Sequence, residues 1–183
     1  MKTCLISLMV AASIAGCGYG NDVELSSQSA SPQASPSSPR QLSLTADTLA
    51  AYERGLKKEI EAVRAAQQRS SSAKTAKERG EAIQAAFETA TIPQGAQAAK
   101  LPEQQYRELR ERVNDIFRTL DIQGKIDGPI SMDLSRVDAA TKARLSRDPF
   151  SDLSPESAAV LRKHMDRLVP VWIEYINLTA VAG

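Results

Sequence analysis

Few side chains in this sequence have the type and spacing that catalysis requires. His164 is the only histidine, and as a general base it would need a carboxylate to orient it. Asp166 lies two positions away, and residues two apart on a helix do not face each other. Because no nucleophile motif accompanies them, we interpret His164 as a boundary or surface residue. A Ser–His–Asp triad is the alternative.

Three aspartates, Asp121, Asp127 and Asp133, recur at intervals of six residues around two glycines, which suggests a calcium site. An EF-hand loop needs alternating oxygen ligands and a terminal glutamate, which this spacing lacks. We therefore expect turn and capping roles for these side chains and predict no metal. The sequence also has no phosphate-binding loop, dinucleotide-binding glycine pattern, zinc pair or haem motif, so no cofactor is predicted.

Two aromatic residues near the end of the chain, Trp172 and Tyr175, are the candidate contact with a partner. Exposed tryptophan and tyrosine side chains dominate the binding energy of many protein interfaces. The alternative, which we favour, is that both rings belong to the core of a domain with few aromatic residues.

The charged residues identify no partner by themselves. The chain has 23 Lys and Arg against 22 Asp and Glu, and the two signs are interspersed, so no basic region for nucleic acid exists. Four arginines within one short segment suggest an anion site, but acidic residues alternate with them. We therefore expect a solvated, self-paired helix face. The arginines are Arg107, Arg110, Arg112 and Arg118.

Hydrophobic periodicity predicts helices and no strands. The first helix spans about 46–68 and carries one apolar stripe. Charged residues, including Glu59, occupy its other faces. The stripe consists of Leu49, Tyr52, Leu56, Ile60 and Val63.

Serines at 70–72 interrupt this pattern. The motif Thr75-x-x-Glu78 then predicts a capping box that begins a second helix, which continues to about Ala90. One uninterrupted helix over 46–90 is the alternative. The inner face of the second helix is predicted to contain Ala76, Gly80, Ile83, Phe87 and Ala90.

Pro93 is expected to close the second helix, because proline restricts the preceding residue away from the α region. The third helix begins near Pro102 and has the clearest apolar stripe in the chain, which ends before Gly124. Its stripe residues are Tyr106, Leu109, Val113, Ile116, Phe117 and Leu120. A connection rich in Asp and Gly follows over 121–134.

A short helix is predicted over 136–146, and a last helix begins at Ser154 and continues toward Val181. Pro170 should kink or break this last helix, since proline lacks the backbone donor. Amphipathic helices joined by short links hide their stripes against one another. The predicted fold is therefore all-α, an antiparallel helical bundle of about four helices plus one short helix.

An apolar run from Leu5 to Ile14 follows Lys2 and is shorter than the about 20 residues that a membrane-spanning helix needs. It fits the hydrophobic region of a removable signal peptide. The next residues, Ile14-Ala15-Gly16-Cys17, resemble the lipobox of bacterial lipoproteins, although that class more often has Leu at the position of Ile14. The resemblance implies cleavage before Cys17 and attachment of lipid to it. An ordinary secretory signal cleaved after Ser13-Ile14-Ala15 is the alternative.

The sequence thus divides into three parts. Residues 1–16 are the signal peptide, 17–44 are the lipidated N-terminus with a disordered tether, and 45–183 are the helical bundle domain. Seven Ser and three Pro among the fourteen residues 26–39 leave too little apolar surface to offset the entropy of ordering. Gly18 after the cysteine resembles the signal for an outer-membrane destination.

The expected function is that of a membrane-anchored lipoprotein, attached through Cys17, whose periplasm-facing domain binds another envelope protein or assembly without catalysis. One alternative is an immunity-type inhibitor that meets a toxin at the membrane. Another is an all-α periplasmic enzyme, which would need a concave pocket with convergent charged groups.

Overall fold

The computed structural model describes residues 43–130 and 132–180, which belong to one compact unit, Arg40–Gly183. The predicted signal peptide, Cys17 and almost all of the predicted tether lie outside the described residues. Within these residues, no helix is both long and apolar enough to cross a membrane.

The described residues form an all-α fold, as predicted, and contain no strand. They contain one helix more than predicted. The six helices are α1 (Ala46–Ser72), α2 (Ala76–Gln84), α3 (Glu88–Ala99), α4 (Glu103–Ile122), α5 (Ala139–Leu145) and α6 (Pro155–Ala180), with a 3₁₀ turn at Leu134–Arg136.

The start of α1 is fixed on both its polar and its apolar side. Thr45 and Thr48 form a capping box, in which each side chain accepts a hydrogen bond from the other residue's backbone N–H. Leu44 and Leu49 flank this cap and are buried in the same apolar cluster, the arrangement of a hydrophobic staple. The backbone N–H of Leu44 also donates to the Ser157 hydroxyl at 3.1 Å, so the folded unit already includes Leu44.

The predicted capping box at the start of α2 is confirmed. Thr75 accepts a hydrogen bond from the backbone N–H of Glu78, and the Glu78 carboxylate accepts one from that of Thr75. Ala73, just before this cap, has an extended backbone and ends α1. The alternative of a single helix over 46–90 is therefore wrong.

The prediction that Pro93 closes a helix is wrong. Pro93 lies at the sixth position of α3, which continues to Ala99. A proline inside a helix costs about 3 kcal/mol. That cost is offset by packing, because α3 meets α1 over a larger contact than any other pair of helices and also packs against α4. The buried residues of α3 are Thr91, Ile92, Gly95, Ala96 and Ala99.

The apolar stripe predicted for the third helix is confirmed in α4, where all six of its residues are buried. The helix is followed by Gly124, which has a positive φ of 66°. Asp121 then has the turn role expected of it, since its carboxylate accepts hydrogen bonds from the backbone N–H groups of Gly128 and Ile130 at 3.0 and 2.8 Å.

The last two helices agree with the prediction in position. The carboxylate of Asp138 caps α5 by accepting a hydrogen bond from the backbone N–H of Thr141. α6 continues through Pro170 and is not broken there. Asp133 caps the 3₁₀ turn through the backbone N–H of Ser135.

Helix α1 is the centre of the packing, because it contacts α2, α3, α4 and α6. The main apolar cluster joins α1, α4 and α6 around Tyr52, Phe117 and Trp172. A second, smaller cluster joins α1, α3 and α4 around Ile92 and Tyr106. Buried charged side chains contact both clusters, since Glu59 accepts a hydrogen bond from Tyr106 of the second and Arg110 donates one to Tyr175 of the first.

Candidate functional site

A buried ion pair joins α1 to α4. The side chain of Glu59 is completely buried, and only 4 % of the Arg110 side chain is exposed. Arg110 Nε lies 3.0 Å from Glu59 Oε1 and 3.1 Å from Oε2. The expectation of a solvated helix face is wrong for Arg110, whose partner of opposite charge lies inside the fold.

Two hydroxyl groups complete the hydrogen bonds of the Glu59 carboxylate. The Tyr106 hydroxyl donates to Oε1 at 2.5 Å, and the Thr91 hydroxyl donates to Oε2 at 3.4 Å. Tyr106 and Arg110 are four residues apart on α4, so one helix face brings both to the carboxylate. Each carboxylate oxygen therefore has more than one donor, as a buried charge requires.

The ring of Tyr106 fits between two glycines on different helices. A Cβ atom at Gly55 of α1 would lie 2.3–2.6 Å from the ring and hydroxyl, and one at Gly95 of α3 would lie 2.8–3.0 Å away. Both helices can therefore approach the ring only because these positions lack side chains. This slot fixes the position of the Tyr106 hydroxyl, which donates to Glu59.

The other end of the Arg110 guanidinium meets α3 and α6. Nη2 donates to Glu88 Oε1 at 2.8 Å and to the Tyr175 hydroxyl at 2.5 Å, and this hydroxyl lies 3.2 Å from the same Glu88 oxygen. The Arg110 Cζ atom is 5.0 Å from the centroid of the Tyr175 ring. Because 61 % of the Glu88 side chain is exposed, the cluster extends from the interior to the surface.

Asn114 lies one turn beyond Arg110 on α4 and is also buried. Its Oδ1 accepts a hydrogen bond of 2.7 Å from the Tyr52 hydroxyl of α1. Tyr106, Arg110 and Asn114 thus form a row at intervals of four residues. Through their hydrogen bonds, these three residues link polar side chains of α1, α3, α4 and α6.

A groove of about 540 Å³ opens beside this row. We call it the Arg110 groove. Its walls come from α3, α4 and α6, and they carry both acidic and basic side chains. The residues that line it are Glu88, Arg110, Glu111, Arg112, Asn114, Asp115, Arg118, Tyr175, Ile176 and Thr179.

The pKa values of the cluster follow from burial and from the Arg110 charge. Burial raises the pKa of Glu59, although Arg110 and the hydrogen bonds to the carboxylate oppose the change. Burial also raises the pKa of Tyr106 and of Tyr175 above 10.0. The pKa of Glu88 is lowered, because the hydrogen bond and charge of Arg110 outweigh burial.

Arg110 itself stays a cation. Burial lowers its pKa, but the negative charge of Glu59 and the contacts with Tyr175 and Glu88 outweigh burial, so the net shift is upward. Efficient proton transfer needs a group whose pKa lies near the working pH and which reaches the substrate. The two tyrosines and Glu88 are shifted away from neutrality, and Glu59 is enclosed. The acid whose pKa moves toward neutrality, Glu59, is thus the one whose side chain is completely buried.

The candidate site residues predicted from the sequence differ in burial and in whether they line the Arg110 groove. Trp172 is fully buried and packs edge-to-face on Phe117, with ring centroids 5.9 Å apart. It cannot provide the exposed contact with a partner, whereas the buried Tyr175 lines the Arg110 groove. His164 is half-buried on α6 and does not line this groove. No three metal-ligating side chains converge within the described residues.

Sequence reasoning missed Glu59, Glu88 and Asn114 as members of one site. Arg110 was noticed only as one of several arginines on α4. The available signal was its spacing of four residues from Tyr106 and Asn114, because Arg110 shares a helix face with stripe residues. Comparison with protein-family models, with curated proteins and with solved structures found no match to this chain.

Proposed function

We propose that this chain is a lipid-anchored lipoprotein of the bacterial envelope, facing the periplasm from the outer membrane. Its helical domain binds another envelope protein and does not catalyse a reaction. The resemblance of Ile14-Ala15-Gly16-Cys17 to a lipobox supports the anchor at Cys17. An exposed apolar surface on α2 supports the protein partner.

The exposed surface is the observation on which the binding role depends. Ile83 is 41 % exposed and Phe87 is 50 % exposed, although the sequence pattern placed both on an inner face. Ile83 leaves the interior because α2 has only one major packing neighbour, α1, and Phe87 lies just after α2, as the N-cap residue of α3. We call the surface formed by Ile83 and Phe87 the α2 apolar surface.

Concave spaces adjoin both exposed side chains. One of about 570 Å³ lies between the end of α1 and α2, and its lining includes Ala66, Ala82 and Ile83. A second of about 390 Å³ includes Phe87 and Ala90. An exposed apolar patch with adjoining concavities is typical of a surface that accepts apolar side chains of another protein. The proposed partner therefore presents an apolar patch of its own.

The two alternative functions would use different surfaces of the domain. An immunity-type inhibitor would use the same anchor and surface, with a toxin as the captured protein. An enzyme would use the Arg110 groove, where charged groups converge as that hypothesis requires. We favour binding, because the exposed apolar side chains of Ile83 and Phe87 support it directly.

The test compares four forms of the tagged full chain in a bacterium that processes lipoproteins: the wild type, Cys17→Ser, Ile83→Ser/Phe87→Ser and Met132→Ser. Met132 is 42 % exposed and lies outside α2, so its replacement is a matched control. We expect the wild type and Met132→Ser to crosslink the same envelope protein. The double variant should lose it, and Cys17→Ser should leave the membrane fraction.

Circular dichroism of each form verifies that the helices remain folded. Retention of the crosslinked protein by the folded double variant would contradict the binding role of the α2 apolar surface. Continued lipid labelling of Cys17→Ser would contradict the anchor assignment, independently of the partner.

A further inference from the structure

The Arg110 groove contains two buried residues that each have an unused hydrogen-bond donor. Arg110 uses Nε and Nη2, and Asn114 uses Oδ1, but Arg110 Nη1 and Asn114 Nδ2 have no partner among the described residues. Neither nitrogen is among the fully buried unpaired atoms. Both residues line the groove, so these nitrogens belong to its wall.

These donors form an ordered row. Arg110, Asn114 and Arg118 follow at intervals of four on α4, which places neighbouring side chains about 5–6 Å apart. Arg118 is exposed and forms no ion pair among the described residues. The row can therefore donate hydrogen bonds to a ligand's oxygen atoms from buried nitrogens at one end and an exposed guanidinium at the other.

Acceptors face the same space. Glu88 uses only Oε1 toward Arg110 and Tyr175, so its Oε2 has no partner among the described residues. Glu111 and Asp115 form a second row on α4, also four residues apart, and both line the groove. The Arg110 groove therefore offers donors and carboxylates side by side.

The charge count excludes a simple anion as the preferred ligand. Three guanidinium groups line the groove, and three carboxylates line it with them. The Glu59 carboxylate directly behind Arg110 adds a fourth negative charge. With four carboxylates against three guanidinium groups, the surroundings of the groove have a net charge of −1. A ligand that brings a positive group beside its carboxylate matches this distribution better than phosphate or acetate does.

The buried ion pair with Glu59 uses only Nε of the Arg110 guanidinium group. Burying charged groups is costly, and the cost is recovered only when their hydrogen bonds are satisfied. The Glu59 carboxylate meets this condition within the protein, whereas Arg110 Nη1 and Asn114 Nδ2 are left for water or a ligand in the groove. They are positioned by firm contacts, since Glu59 holds Arg110 and the Tyr52 hydroxyl holds Asn114. Fixed donors with free N–H groups are preorganised for a ligand.

We propose that the Arg110 groove binds a small zwitterion that carries a carboxylate and an amino group, such as a free amino acid or a dipeptide. The ligand carboxylate accepts from Arg110 Nη1 and Asn114 Nδ2, and Arg118 adds attraction. The ammonium group lies toward Glu88 Oε2 and Asp115. A groove of about 540 Å³ leaves room for a side chain beside these two groups.

Titration calorimetry of the full chain in mild detergent tests this proposal. The probes are each of the common L-amino acids and glycylglycine. Acetate and inorganic phosphate are the controls, because they carry negative charge and no positive group. We expect at least one zwitterion to bind and to raise the unfolding temperature, since a ligand that binds only the folded state stabilises it. Acetate and phosphate should not bind comparably.

Two variants locate the site without removing the buried ion pair. Asn114→Asp keeps an oxygen for the Tyr52 hydroxyl but loses the free N–H groups, and Arg118→Ala removes an exposed side chain. Arg118→Ala should weaken the Kd about tenfold, the scale of one charge-assisted hydrogen bond, and Asn114→Asp should weaken it more, because its new carboxylate also repels that of the ligand. Arg69→Ala removes an exposed arginine outside the groove and should leave the Kd unchanged.

Three results would overturn the proposal: no zwitterion binds, acetate or phosphate binds as tightly, or both groove variants bind like the wild type while folded. The α2 apolar surface shares no residue with the groove. Failure here therefore leaves the proposed protein partner unaffected, and the reverse also holds.

Discussion

The middle of α1 and the whole of α2 differ in how many neighbours enclose them. Around Gly55 and Glu59, α1 is covered by α3, α4 and α6, and even a carboxylate is buried there. In α2, Ala82 is the only buried residue, and Ile83 stays exposed. The number of packing partners, more than the polarity of a side chain, decides which residues enter the interior.

The difference has a physical cause in each region. Glu59 can be buried because an arginine and two hydroxyl groups supply its hydrogen bonds. Ile83 cannot be covered because α1 is the only major neighbour of α2. Exposure of an apolar side chain costs about 1.5–3 kcal/mol relative to burial, which a partner protein could recover.

The largest expected effect comes from removing the cation that Glu59 requires. Arg110→Met leaves a buried carboxylate unpaired and should lower the free energy of unfolding by about 3–5 kcal/mol. Arg107→Met is the control. Among the described residues Arg107, on the same helix, pairs with the exposed Glu103, so this change should cost about 0–1 kcal/mol. Urea unfolding measures both.

The double variant Glu59→Met/Arg110→Met should recover much of this loss, since no unpaired charge remains. A double variant as unstable as Arg110→Met alone would show that lost packing, and not the unpaired charge, is responsible.

Alanine substitutions of Gly55 in α1 and of Gly80 in α2 are expected to change stability in opposite directions. Gly55→Ala forces a Cβ into the Tyr106 ring and should destabilise the fold by about 1–3 kcal/mol. Gly80→Ala in α2 meets no atom within 4 Å and should stabilise it by about 0.5–1 kcal/mol. The unfolding temperatures of both variants test this expectation, and two changes in the same direction would contradict it.

The smallest effect concerns the surface end of the ion-pair cluster. The folded pKa of Glu88 lies below its usual 4.5, so its ionised form stabilises the fold above that pH, and the contribution is lost as pH falls through the folded pKa. Glu88→Gln should therefore lower stability slightly near neutral pH and not in acid. The shift in unfolding midpoint between these conditions measures the effect.

Glu111→Gln, on the groove wall but without an ion pair among the described residues, is the control for Glu88→Gln. An equal pH-dependent change in both variants would mean that Arg110 does not favour the Glu88 carboxylate. Glu59 acts with the opposite sign, because its raised pKa gives stability that is lost as pH rises through it.

Much of the fold could be predicted from local patterns, and the site could not. The stripe of α4 and the Thr75 cap were predictable because they depend on residues within a few positions of one another. The helix through Pro93 was missed because its stability comes from packing on α1. Arg110 was expected on a solvated face, and its pairing with Glu59 was missed, because the two positions are 51 residues apart.

The sequence by itself determined the helical class, the capped start of α2 and the stripe that α4 buries, because hydrophobic period and capping act locally. It also carries the lipobox resemblance that underlies the proposed anchor at Cys17. Only the tertiary structure decided that Glu59 and Arg110 lie inside and that Ile83 and Phe87 lie outside. The physical reason is that burial depends on the partners that other helices bring, and a single helix cannot specify these.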